Sequence, residues 1–232
     1  MAEWIAAIRG LKIAIDGPSG SGKGTAAAML AEAIGFPVLD TGLLYRFIAY
    51  MAIEKGVDSD DESALAELVT GVLPKMEWRP EGIFYNGINQ TQRLRSEEVG
   101  AHASRVAACP AIRKQLLGVQ RQVAEKGCIM DGRDIGTVVL PDAAAKFYLT
   151  ASLRERGRRR WAQLHSEQPE VSLERIVADL KSRDQRDAER AHSPLQKAQD
   201  AMHIDSTTMR MDEVLDRMLA VLERRGLIKY AG

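Results

Sequence analysis

Short apolar runs closed by turn-forming residues recur along the chain, separated by stretches with helical spacing. The first, Leu11-Lys12-Ile13-Ala14-Ile15, stops at Asp16-Gly17 and reads as a buried parallel strand. Others stand at Phe36 to Leu39, Cys128 to Met130, Ala145 to Leu149 and, more weakly, Ala201 to Ile204. Between the first two, an alanine-rich pattern from about Gly22 through Ala33 spaces Met29, Leu30 and Ile34 for one buried helical face. This alternation predicts an α/β fold, a parallel sheet with helices on both faces.

Two stretches break the alternation. From about Asp58 to Arg105 an acidic helix-like piece leads to Met76-Glu77-Trp78 and Ile83-Phe84-Tyr85, placed around Pro80-Glu81-Gly82 and followed by Asn86-Gly87, a strong turn signal. This predicts an insert with a small antiparallel element. From Leu153 to about Val171 the chain is dense in arginine, and a charged helix is predicted from Ser172 to about Arg190. That region is either a flap over a site or a solvated helical surface. No internal repeat or low-complexity tract appears.

Composition narrows the classes. At 232 residues and 45% hydrophobic content the chain is long enough for one domain, or one domain carrying inserts. Lys plus Arg and Asp plus Glu both number 32, so no global basic field exists to hold DNA or RNA, and no nucleic-acid partner is expected. The two cysteines, Cys109 and Cys128, form no CxxC pair and lie near no metal-spaced histidine, which fits a reducing, cytoplasmic setting. No apolar run approaches the length of a membrane span, and residues 1–10 lack the pattern of a signal peptide, so no membrane partner is expected. The histidines His102, His165, His192 and His203 are scattered and receive no catalytic role.

The candidate chemistry starts at Gly17-Pro18-Ser19-Gly20-Ser21-Gly22-Lys23, which has GxxxxGK spacing between a predicted strand and a predicted helix. In that context glycines let backbone N–H groups turn inward around phosphate oxygens. The helix N-terminus adds partial positive charge, and Lys23 brings a point charge to the β and γ phosphates. The alternative is a glycine turn with a surface lysine. Gly24 stands where such loops usually place Ser or Thr, and Thr25 follows, so a direct hydroxyl ligand to Mg²⁺ is not assured and the metal is expected to rest mostly on phosphates and water. Asp131 closes the run Cys128-Ile129-Met130, a strand-end position suited to organising a magnesium shell through water, or simply to capping a turn. Arg183, Arg186 and Arg190 share a helical face, with Asp184 and Asp187 beside them; ion-paired solvation and anion binding both fit that spacing. Arg156, Arg159 and Arg160 share another face, where an exposed basic helix and a phosphoryl-reaching flap are both open readings.

The segments Asp16 to Thr25, Leu39-Asp40-Thr41-Gly42 with Tyr45-Arg46, Asp131-Gly132-Arg133-Asp134 with Gly136-Thr137-Val138, and Arg183 to Leu195 resemble bacterial cytidylate kinases in order and spacing. The resemblance spans nearly the whole chain, and its DGRD-x-GT and RDxRDxxR segments are far more specific than the first loop. It implies a P-loop kinase core at 1–62, 106–152 and 172–232, a monophosphate-binding insert at 63–105 and a lid at 153–171. It also implies an ATP site at Gly17, Pro18, Ser19, Gly20, Ser21, Gly22, Lys23, Gly24 and Thr25. Arg46, Arg133 and Arg190 are expected on the acceptor phosphate, with Thr41 nearby, and Arg183 and Asp187 on its sugar. Thr91, Arg95 and Asp134 are expected on the base, and Lys23, Arg133, Arg156, Arg160 and Arg186 around the transferring group. The implied reaction is Mg²⁺-dependent transfer from ATP to CMP, and to dCMP, by a monomer. Rival readings are a kinase of the same fold acting on UMP, AMP or a non-nucleotide alcohol, and an NTP-binding regulatory switch. The latter lacks support, since no NKxD-type motif is found.

Overall fold

The computed structural model describes residues 4–79, 81–165 and 170–231. Two compact units divide the chain, Met1–Leu39 with Lys126–Gly232, and Asp40–Glu125.

The first unit is built on strands β2 (Lys12–Asp16), β3 (Val38–Asp40), β7 (Cys128–Gly132), β8 (Ala145–Thr150) and β9 (Met202–Asp205). Among the described residues these form a parallel sheet in the order β3-β7-β2-β8-β9. The central strand β2 is buried along nearly its whole length, which is why its sequence reads as a continuous apolar run instead of alternating. Its register sets Asp16 level with Gly132 on one side and Tyr148 on the other, so β2 and β7 end together and β8 runs on to Thr150 at the same edge. Helices α1 (Lys23–Ile34) and α8 (Met211–Arg224) close one core with Leu30, Val214, Met218 and Leu222 against Ile13 and Phe147 of the sheet. Each such fully buried side chain contributes about 1.5–3 kcal/mol. Helices α6 (Leu153–Leu164) and α7 (Leu173–Glu189) are capped by the hydroxyls of Ser152 and Ser172, which accept from the amides of Glu155 and Arg175.

Residues 4–6 form a strand, β1, that the apolar pattern of the first ten residues does not announce. It pairs antiparallel with β10 (Ile228–Tyr230), and the Trp4 and Tyr230 rings meet edge to face at 5.4 Å. A three-residue strand is too short to show a period, and its partner stands at the other end of the chain.

The second unit joins helices α2 (Thr41–Lys55), α3 (Glu62–Val72), α4 (Glu97–Val106) and α5 (Pro110–Val123) around a separate core that includes Leu44, Phe47, Ile48, Leu65, Ile112 and Leu116. Strands β4 (Met76–Arg79), β5 (Gly82–Tyr85) and β6 (Ile88–Asn89) form the small antiparallel sheet expected from the sequence. The turn between β5 and β6 places Asn86 at φ 50° and Gly87 at φ 77°, the left-handed pair that a two-residue hairpin needs. Pro80 lies outside the described residues. The stretch 63–105 sits inside this unit, which begins at Asp40 and runs to Glu125. Of the stretch 153–171, residues 153–164 are helix α6, and 166–169 lie outside the described residues. Among the described residues no helix is long and apolar enough to cross a membrane.

Candidate active site

The loop of residues 17–22 leaves the C-terminal end of β2 and enters α1. Gly17 adopts φ 147°, and a Cβ there would fall 2.0 Å from the carbonyl oxygen of Leu149, so only glycine fits. Turning loop amides inward leaves carbonyls facing out, where they need donors. Lys23 Nζ donates to the Pro18 carbonyl at 2.8 Å, Arg156 Nη1 to that of Ser19 at 3.0 Å, and Ser206 Oγ to that of Ser21 at 3.1 Å. The first turn of α1 itself carries no acidic side chain, so none of its own residues opposes the positive helix end. Lys23 is buried along its stem, whereas Gly24 and Thr25 are exposed.

Asp16 stands one residue before this loop and is buried. Its carboxylate accepts from the amides of Ile135 and Gly136, each at 2.7 Å, and so ties β2 to the segment after Asp134. Burial pushes its pKa up to about 6, against the two amide hydrogen bonds and Lys23, with Asp134 adding like charge. Asp134 is buried at the start of the π-helical turn over 135–139. Asp131 is buried at the end of β7, and a Cβ on Gly24 would lie 3.5 Å from its Oδ2, which places the carboxylate beside the first turn of α1. One carboxylate at the mouth of a phosphate loop fits a magnesium ion that keeps most of its water and phosphate ligands.

Helix α7 carries the densest charge. Asp187 is buried, accepts from Arg133 Nε at 3.0 Å and pairs with Arg190 one turn on. Burial works against its charged form, yet Arg133, Arg190 and Arg183 outweigh burial and hold the carboxyl below the usual range. Arg133 also donates to its neighbour's carbonyl, Gly132, at 3.2 Å. Along the expected face of Arg183, Arg186 and Arg190, Arg183 and Arg190 are partly buried, while Arg186 lies at the exposed flank and donates to Ser182 Oγ at 2.8 Å. The cause is its position about 100° around the helix from Asp187, which with Ile176 and Leu180 defines the inward direction.

On α6, Arg156 is buried and Arg159 and Arg160 are half-buried. Arg156 donates to Ala151, Ser19 and Asp184; Arg159 donates to Glu155 and Ser206; Arg160 donates to Gln163. In the second unit, Thr41 is buried at the first position of α2. Arg46 donates from Nη1 to the carbonyls of Leu94 at 2.8 Å and Ser96 at 3.1 Å, which flank the exposed Arg95. The Thr91 hydroxyl accepts from the Ile83 amide at 3.0 Å, which ties the chain just after β6 to the middle strand β5.

Sequence reasoning passed over Asp16 and Ser206, and gave Asp184 no role of its own. Asp16 looked like a strand terminator, and Asp184 like one of two interchangeable acids. A strand-end acid directly before a glycine loop was the available signal for the first. Ser206 carried none, since its partners are 47, 56 and 185 residues away.

A family model described as cytidylate kinase matches residues 13–224. The cytidylate kinase of Pseudomonas fluorescens is 47% identical over 220 residues, 93% of this chain and 96% of its own. That of Azotobacter vinelandii is 42% identical over 225 residues, covering 95% and 98%. A crystal structure of an uncharacterized protein from Eubacterium ventriosum shares the fold, with a TM-score of 0.52 at 12% identity over 92% of this chain and 98% of that one.

Proposed function

Because this chain belongs to the cytidylate kinase family, we propose that it transfers the γ-phosphoryl group of ATP to CMP, and also to dCMP, by direct in-line displacement. The observation that carries this reading is the pairing, within one unit, of a strained glycine loop built for a triphosphate with a buried carboxylate that grips two arginines. The first binds the donor and the second presents guanidinium forks to a phosphate.

The loop amides of 17–25 hold the donor phosphates, and Lys23 exchanges the Pro18 carbonyl for a phosphate oxygen. Arg133 and Arg190 take the acceptor phosphate, Arg183 and Asp187 its sugar, and Asp134 the exocyclic amino group of cytosine. The family resemblance assigns Thr41, Arg46, Thr91 and Arg95 to the acceptor as well. Arg160 and Arg186 add positive charge around the transferring group, and Arg156 serves it through the loop. Asp131 would hold magnesium through water, and the ion would supply positive charge to the triphosphate. An acceptor phosphate is already ionised, so no general base is required. We place the enzyme in the cytoplasm as a monomer, in keeping with its free Cys109 and Cys128.

ADP release measured with ATP and Mg²⁺ against CMP, dCMP, UMP and AMP tests the reading. The CMP and dCMP rates are expected to exceed the others, and Asp134→Asn to narrow the CMP-over-UMP ratio of kcat/KM by about 10- to 100-fold. A different preferred acceptor, or ADP release indifferent to acceptor, refutes it.

A further inference from the structure

Helix α7 carries two carboxylates one turn apart, Asp184 and Asp187, which hold different arginines. Asp187 grips Arg133 and Arg190, the arginines assigned to the acceptor. Asp184 Oδ2 lies 2.6 Å from Arg156 Nη1, and that same nitrogen donates at 3.0 Å to the Ser19 carbonyl in the donor loop. A guanidinium Nη has two hydrogens, so one nitrogen can serve both acceptors at once. The Arg156 Nε donates to the Ala151 carbonyl at 3.0 Å, which fixes the plane of the fork.

The surroundings leave this linkage little play. A Cβ on Gly157 would approach Val177 Cγ2 to 2.4 Å, so α6 and α7 are in close contact beside Arg156. A Cβ on Gly20 would lie 3.2 Å from Arg156 Cβ, so the arginine's stem packs on the loop itself. The Asp184 side chain is 22% exposed and that of Arg156 only 7%. At such partial burial a charge-assisted bond carries more weight than on an open surface. The second oxygen, Asp184 Oδ1, is buried with no hydrogen-bond partner among the described residues. Asp184 is therefore retained at some desolvation cost, with its bond to Arg156 as the compensating contact.

We propose that Asp184 is a positioning residue: through Arg156 it clamps the Ser19 carbonyl, and so couples the donor loop to the arginines that α7 presents to the acceptor. Binding of ATP organises the loop, the clamp passes that order to α7, and the acceptor then meets arginines already in place; by linkage the acceptor strengthens ATP binding by the same factor. Arg156 acts here on the loop carbonyl and not on the substrate. The inference rests on the proposed acceptor role of α7.

The test is calorimetric binding of a non-hydrolysable ATP analogue with Mg²⁺, with and without CMP, to wild type, Asp184→Asn, Arg156→Lys and the double variant. Wild type is expected to bind the analogue about 5-fold or more tightly when CMP is present, within the usual range of coupling factors. In Asp184→Asn that ratio is expected to fall to about 1, while CMP binding alone changes by less than about 2-fold. The double variant is expected to be no worse than either single one, because both break the same clamp. A purely structural role would lower the melting temperature and weaken both ligands equally with the ratio kept, and that result overturns the proposal. So does an additive cycle, or an unchanged ratio in a folded Asp184→Asn. Should Asp184→Asn not fold, Arg156→Lys alone decides by the same ratio. If wild type binds no CMP, the acceptor assignment fails, and the separate effect of Asp184→Asn on analogue affinity still reports on the clamp: an unchanged affinity then overturns it.

Discussion

Replacing Asp187 by alanine removes the carboxylate on which two guanidinium groups converge. Its side chain is 2% exposed, that of Arg190 7% and that of Arg133 19%. Removing one partner of a buried ion pair typically costs about 3–5 kcal/mol, because the remaining charge is left desolvated. Arg133 retains enough exposure to recover some hydration, which sets the expectation near the lower end, at about 3 kcal/mol. For a chain of this size that corresponds to a drop of about 6–12 °C in melting temperature. The same change frees Arg133 and Arg190 to leave their positions. Misplacement of about 1 Å at a reacting group costs on the order of 10²-fold in rate, so kcat/KM for CMP is expected to fall by about that factor while the KM for ATP moves little. The pH dependence supplies an internal control. The Asp187 pKa is depressed in the folded state, so its stabilisation is fully present above the ordinary value of 3.8 and is lost as pH falls through the lower folded value. The stability gap between wild type and variant, read from urea unfolding, is therefore expected to be constant from pH 7 to pH 5 and to close only below 3.8. A gap under about 1 kcal/mol at pH 7, or an unchanged acceptor KM, would refute the reading of Asp187 as the organiser of the arginine pair. Asp187→Asn, which keeps one acceptor oxygen, is expected to lose less of both.

Gly17→Ala is expected to abolish folding of the donor loop, since the added Cβ would sit 2.0 Å from a backbone oxygen of Leu149 and neither strand can yield; a variant that binds ATP with native affinity would contradict that contact. Asp16 carries the opposite pH signature to Asp187. Its folded pKa of about 6 exceeds the ordinary 3.8, so its contribution is present below pH 3.8 and is lost as pH rises through 6, a swing of about 3 kcal/mol. The stability difference between wild type and Asp16→Asn is expected to change by that amount between pH 3 and pH 7, and parallel stability curves across that range would show that Asp16 does not titrate there.

The local half of this protein was legible in one dimension. Continuous apolar runs marked the parallel strands, because a strand covered on both faces has no solvent side to alternate toward. Asn86-Gly87 specified its hairpin turn, and the glycine spacing after Ile15 announced the phosphate loop. In each case the cause acts within a few residues, through backbone sterics or helical and strand periodicity. What only the tertiary structure decided involves distant partners. Asp16 binds amides 119 and 120 residues away, Arg156 reaches back 137 residues to Ser19, and β1 finds β10 at the far end of the chain. From Arg183 to Arg190 the sequence showed charges at helical spacing and left open which would turn inward. Packing chose Asp187 and sent Arg186 to solvent, because the direction of burial is set by Ile176 and Leu180 against neighbours that no local pattern names. Charges become a site only when a fold brings them close and removes their water, and both are properties of the assembled structure.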